Sequence, residues 1–163
     1  MALSAAWPEP VARVSAYLRQ AGAEARIEEF AGETASADDA ATALGTPLEQ
    51  IVKTLVFDCD GGLVVALVPG DLRADRAKLA AAAGCRRAQI VGAGDVERLT
   101  GFPPGAVAPF PLPAEARAFV DRNLLVHDRV WIGAGSSRHL ACLAPVELVR
   151  LARAQTVDIT ADG

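Results

Sequence analysis

The chain has 163 residues, 52% hydrophobic but only 5% aromatic, and a net charge of −4. That length suits a single domain, residues 1–163, with a sizeable aliphatic core. The acidic balance excludes a protein that coats nucleic acid by charge alone. Charge is also uneven, with four basic and ten acidic side chains in residues 1–60 against twelve and ten in residues 61–163. No apolar run approaches bilayer length, and the start MALSAAWPEP has no basic segment, so a soluble, cytoplasmic protein without membrane contact is expected. Cys59, Cys85 and Cys142 lack motif spacing and are expected as reduced thiols.

In chain order, the apolar stripe Val11, Val14, Tyr17, Leu18 and Ala21 predicts a helix over 8–21, stopped by Gly22. A short strand follows over 25–30. Ser36 caps a helix that ends at Gly45. Thr46-Pro47 begins a helical turn, with proline at the first helical position and Glu49 placed for a capping box. Residues 51–57 predict a strand, 58–62 a hairpin turn, and 63–68 a central strand buried on both faces. A helix over 75–83 ends at Gly84, a strand occupies 88–91, and a helical turn over 95–99 starts at Gly94 or Asp95.

The Gly/Pro-rich segment 100–111 comes next. Strands near 117–120, 129–134 and 139–143 surround a glycine turn at 133–137. Pro145 opens a last helix to about Arg153, and 157–159 adds an edge strand. Helices and strands mix without strict alternation. The expected class is α+β (mixed α/β), a single domain with a mixed, mostly antiparallel sheet flanked by helices.

Of sixteen basic residues only Lys53 and Lys78 are lysines. On a strand, Lys53 shares its face with Ile51, Leu55 and Phe57. It either snorkels to water or stands as a cation at the wall of a ligand cleft. The stretch 71–87 holds Arg73, Arg76, Lys78, Arg86 and Arg87 against Asp71 and Asp75; a phosphate-facing patch and a solvated helix face both fit.

Most catalytic signals are missing. His127 and His139 have no cysteine at metal-ligand spacing, and Gly92-Ala93-Gly94 lacks the rest of a dinucleotide fingerprint, so neither metal nor cofactor is expected. Ser136 or Ser137 beside His139 invites a nucleophile reading, but no nucleophile elbow is present. The loop 101–109 can serve as a stiff connector, or its glycines can let backbone N–H groups approach an anion or oxyanion.

The ordered set Ile51-Val52-Lys53-Thr54-Leu55, Gly70-Asp71, Lys78-Leu79-Ala80, Thr100-Gly101 through Gly105 to Pro109-Phe110, and Gly133–Gly135 resembles the YbaK-type editing deacylases. These are relatives of the editing domain inserted in bacterial prolyl-tRNA synthetases. The resemblance covers residues 25–160, after an N-terminal helix within 1–24, and Thr34 also fits it. It implies hydrolysis of the ester of a mischarged aminoacyl-tRNA, with tRNA(Pro) the first candidate. The tRNA acceptor end is then the partner, with prolyl-tRNA synthetase a second one.

In that family the strand lysine is essential, and Lys53 matches it. Gly101, Phe102, Gly105, Ala106, Val107 and Pro109 match the pocket loop, and Gly133, Gly135, Ser136 and His139 the last glycine segment. Departures are Ala106 and Ala108, where many relatives have glycine and serine. The cysteine-removing subgroup carries an acid shortly after its last glycine segment, and residues 136–142 hold none here, which counts against cysteine specificity. Gly135 followed by His139 is similar instead to the synthetase-inserted domains. A non-catalytic aminoacyl- or nucleotide-binding module is the alternative function, and a serine esterase through Ser136 or Ser137 a third.

Overall fold

The computed structural model describes residues 7–34 and 36–162. Its larger sheet has the order β4-β2-β3-β5-β8, where β2 is Val52–Cys59, β3 Gly62–Pro69, β4 Ala88–Ile90, β5 Arg117–Asp121 and β8 Gln155–Val157. The smaller sheet has the order β1-β7-β6, from Arg26–Glu29, His139–Leu143 and Val130–Ser136. The helices are α1 (Glu9–Gln20), α2 (Ala37–Leu44), α3 (Arg76–Ala83), α4 (Ala93–Thr100) and α5 (Pro145–Ala152). β3–β5 and β5–β8 are parallel, and every other pair is antiparallel. This is the mixed, mainly antiparallel α+β architecture expected from the sequence. Its division into two sheets, bridged at Ile51 and Trp131, was not legible there.

Alternation along β3 builds the core. Val65 and Leu67 face α1, α5 and the smaller sheet, whereas Val64, Ala66 and Val68 face Leu79, Ala80 and Ala83 of α3. Both sides of this strand are therefore dry, which is why its sequence is continuously apolar. The β2–β3 hairpin closes through Asp60 and Gly61 at φ of 52° and 93°, the left-handed pair a two-residue turn demands. Lys78 anchors the C-terminal segment through Asp158, Asp162 and the Thr160 carbonyl.

Several expectations are corrected. Gly133-Ala134-Gly135 lies inside β6 rather than in a turn; the turn is Ser137-Arg138. The apolar alternation of Val130, Ile132 and Ala134 carries the strand through, and a bulge between Gly133 and Ser136 absorbs the extra residues. The edge strand β8 ends at Val157 rather than at 159. Ile159 is instead fully buried, its amide held by the Asp121 carboxylate at 2.9 Å.

Pro47 precedes a 3-10 turn over Leu48–Gln50 instead of opening it. Glu49 makes no capping bond there; the Thr46 hydroxyl donates to Gln50 Oε1 at 3.0 Å. α4 starts at Ala93 behind Gly92. An unexpected 3-10 helix, Arg122–Val126, follows Asp121, whose carboxylate accepts from the Asn123 amide. Cys59 and Cys85 are joined in a disulfide rather than standing as thiols, because β4 brings the chain after α3 back beside the end of β2; Cys142 is free.

Candidate active site

A cleft of about 400 Å³ opens where the start of β2 meets β6, β7 and the N-terminal end of α2. β2 presents Lys53 and Thr54 to it, the Gly/Pro loop presents Gly105, Ala106 and Val107, and β6 presents Gly133 and Ser136. Thr34 closes one side. Its amide and hydroxyl both donate to the Ser137 carbonyl, at 2.6 and 2.8 Å, which pins the β6–β7 turn to the segment before α2.

The loop approaches β6 closely. A Cβ on Gly133 would stand 3.2 Å from the Val107 carbonyl oxygen, so glycine sets the width of the cleft here. Gly105 has φ of 80°, and the following amide of Ala106 turns back to the Pro103 carbonyl. The amides of Gly105 and Val107 have no hydrogen-bond partner among the described residues. Loop backbone donors at a cleft are suited to receive an anion or an oxyanion.

Lys53 is half-buried and donates to the Leu72 carbonyl at 2.5 Å. Burial holds its pKa below the usual 10.5, Asp71 and Asp38 oppose that shift, and the Arg73 charge reinforces it. The ammonium has a carbonyl partner and no direct ion pair among the described residues, so charge remains available to a ligand.

The structure separates the remaining expected residues from the cleft. Gly101 ends α4 in a left-handed conformation and its carbonyl accepts from Arg13, which also stacks over the buried Phe102 ring at 4.8 Å. These two residues tie the loop to α1. Pro109 lines a different groove with Tyr17 and Phe110. Gly135 faces the backbone of Pro10 and Val11.

His139 is 4% exposed and lies behind Ser136, its Nδ1 sharing a 2.5 Å hydrogen bond with the Ser136 Oγ. That oxygen also accepts from the Arg138 amide. A serine–histidine contact therefore exists, with Ser136 on the cleft wall and the ring buried behind it. Burial holds the His139 pKa below its usual value, with Glu29 opposing the shift and Arg138 reinforcing it, so the ring is held neutral. Its other nitrogen has no hydrogen-bond partner among the described residues, and Trp7 packs edge-on at 5.8 Å. Glu29 lies across the strand pair without a hydrogen bond to the ring.

Sequence reasoning missed Thr54, whose hydroxyl is buried on the cleft wall without a partner among the described residues. Its signal was a polar side chain between Val52 and Val56, on the face of β2 that enters the core. Ser36, expected only as a cap, caps α2 by accepting from the Asp39 amide and also lines the cleft. Ala37, Ala40 and Leu140 complete an apolar wall. Among the described residues no three His, Cys, Asp or Glu side chains come together as a metal site.

Fold and cleft together define a two-sheet α+β protein whose pocket pairs one lysine with loop amides. Residues 31–151 match the family model of the aminoacyl-tRNA editing domain, and the chain belongs to that family. The proline–tRNA ligase of Citrifermentans bemidjiense is 38% identical over 64% of this chain, but the match spans only 18% of the ligase. EbsC of Enterococcus faecalis, named as a proposed Cys-tRNA(Pro)/Cys-tRNA(Cys) deacylase, is 29% identical over 77% of each chain. A crystal structure of a protein proposed as a trans-editing enzyme for prolyl tRNA synthetase superposes with a TM-score of 0.89 at 32% identity, covering 96% of this chain and all of that one.

Proposed function

We propose that this chain is a deacylase that hydrolyses the ester of aminoacyl-tRNA carrying a non-cognate amino acid, with tRNA(Pro) the first candidate carrier. The observation that carries the proposal is the pairing of Lys53 with the free amides of Gly105 and Val107 at one cleft. Family membership and the proline–tRNA ligase relatives support the choice of carrier. The wall of Ala37, Ala40, Val107 and Leu140 favours a small, uncharged aminoacyl side chain.

In this mechanism the oxygen of a water molecule attacks the ester carbonyl. Charge develops on the carbonyl oxygen, which the loop amides stabilise; one such donor is worth about 3–4 kcal/mol. Lys53 anchors the terminal phosphate or the ester carbonyl as a cation and is not required as a base. The neighbouring ribose hydroxyl orients the water. The bond from the carbonyl carbon to the ribose oxygen then breaks, and that oxygen takes a proton given up by the attacking water, releasing free amino acid and tRNA.

The test is deacylation of a panel of mischarged tRNAs by wild type, Lys53→Met and Ser136→Ala. Lys53→Met is expected to lose roughly 100-fold or more in kcat/KM. Ser136→Ala is expected to retain measurable turnover, and no acyl-enzyme is expected in quenched reactions. Wild type that binds but hydrolyses no aminoacyl-tRNA would indicate a binding module instead. Full activity in Lys53→Met would reject the mechanism, and an acyl-serine adduct would revive the esterase.

A further inference from the structure

A second groove, of about 260 Å³, lies beside the cleft at Lys53. Lys53 and Leu55 line both spaces, so the two adjoin at these side chains. The floor is the face of β2 that carries Lys53, Leu55 and Phe57, extended by Ile90 of β4, the register partner of Phe57. Arg73 and Arg76 stand on its rim.

The chemistry of this groove is unusual for an acidic chain. Arg73 and Arg76 line it with side chains that make no hydrogen bond or ion pair among the described residues. Asp75, between them, is occupied in capping α3, where it accepts from the Lys78 amide at 3.0 Å. Arg73 lies close enough to Lys53 for its charge to act on the ammonium, while Asp71 and Asp38 counter it from their own sides. Clustered like charges repel unless an anion joins them. Beside them Ile90 is 49% exposed, offering an apolar surface within reach of the cations. Cations over an apolar platform match the two requirements of single-stranded nucleic acid: neutralised phosphates and a covered base face.

We infer that this groove binds the single-stranded nucleotides immediately before the terminal adenosine of a tRNA acceptor end. Arg73 and Arg76 meet phosphates, and Ile90 lies under a base. The identity of the RNA rests on the deacylase reading. Four residue steps along β2, from Lys53 to Phe57, span roughly 13 Å, a reach suited to a short single-stranded footprint. A net charge of −4 on the whole chain agrees with contact confined to this strip.

The test is binding of the RNA trinucleotide CCA and of adenosine to wild type and to the double variant Arg73→Ala/Arg76→Ala, titrated from low to moderate salt. Wild type is expected to bind the trinucleotide more tightly than adenosine. The double variant is expected to lose about tenfold in trinucleotide affinity, and its salt slope to flatten by about 1.4 for two single-strand phosphates, with adenosine affinity unmoved. A single Ile90→Ser variant is expected to weaken the trinucleotide without changing that slope. Equal trinucleotide affinity and slope in wild type and the double variant would overturn the inference, even if the chain deacylates tRNA. Absent deacylation with intact, arginine-dependent trinucleotide binding would sink the deacylase reading and leave the groove assignment standing.

Discussion

Replacing Gly135 by alanine separates a structural role from a binding role at a position the family pattern assigns to the pocket. Gly135 has φ of +106°, and a Cβ there would lie 2.9 Å from the Pro10 carbonyl carbon and 3.0 Å from the Pro10 oxygen and Val11 nitrogen. All three contacts are backbone atoms at the start of α1, so no side chain can swing away. The backbone conformation alone costs a non-glycine residue about 1–3 kcal/mol. Pushing α1 off β6 disturbs Val11 and Val14, both fully buried, and overpacking of this kind costs about another 1–3 kcal/mol. With about 4 kcal/mol as the central value and 2–4 °C per kcal/mol in a chain of this size, Tm is expected to fall by about 8–16 °C. Gly94→Ala is the control. That glycine lies inside α4, and a Cβ added to it would meet nothing within 4 Å, so stability should hold or rise by up to about 1 kcal/mol. Thermal unfolding followed by circular dichroism reads both variants, with deacylation measured well below either Tm. An unchanged Tm in Gly135→Ala together with lost deacylation would refute the α1 assignment and return Gly135 to the cleft.

Reduction of the Cys59–Cys85 bond releases a loop of 26 residues, for which chain entropy gives about 3.5 kcal/mol. Tm with a phosphine reductant, or in Cys59→Ser, should therefore fall by roughly 7–14 °C; identical melting curves with and without reductant would refute this. His139 supplies a pH effect. Burial lowers its folded-state pKa below 6.5, with Arg138 adding to the shift and Glu29 opposing it. Above 6.5 both states are neutral at this site. As pH falls through 6.5 the unfolded chain takes up the proton first, so stability is lost between 6.5 and the lower folded pKa. His139→Gln should flatten this part of the Tm–pH curve, and an unaltered slope would remove His139 as its source.

Local elements were legible because their signals are local. Ser36 and Asp75 cap their helices, Gly45 and Gly84 end them in left-handed conformations, and Asp60-Gly61 closes the hairpin. The site was legible in outline: Lys53, Thr34, Gly105, Ala106, Val107, Gly133 and Ser136 do share one cleft. Gly101, Phe102, Pro109, Gly135 and His139 belong to the same segments but face elsewhere. Sequence neighbourhood cannot separate them, because on a loop or a bulged strand adjacent residues turn to different partners.

The sequence by itself determined the α+β class, the aliphatic core, the buried central strand and the oddity of a lysine on an apolar strand. Periodicity, caps and turn residues express these within a few positions of the chain. Tertiary structure alone decided that the strands divide into two sheets, that Cys85 reaches Cys59, and that the Ser136–His139 contact lies in a buried place hostile to an imidazolium. It also decided that Thr54 and Lys53, on opposite faces of one strand, border one cleft, and that Arg73 and Arg76 line the groove beside it. Each of these depends on contacts between segments distant in sequence, whose geometry is set by how layers pack rather than by any local pattern.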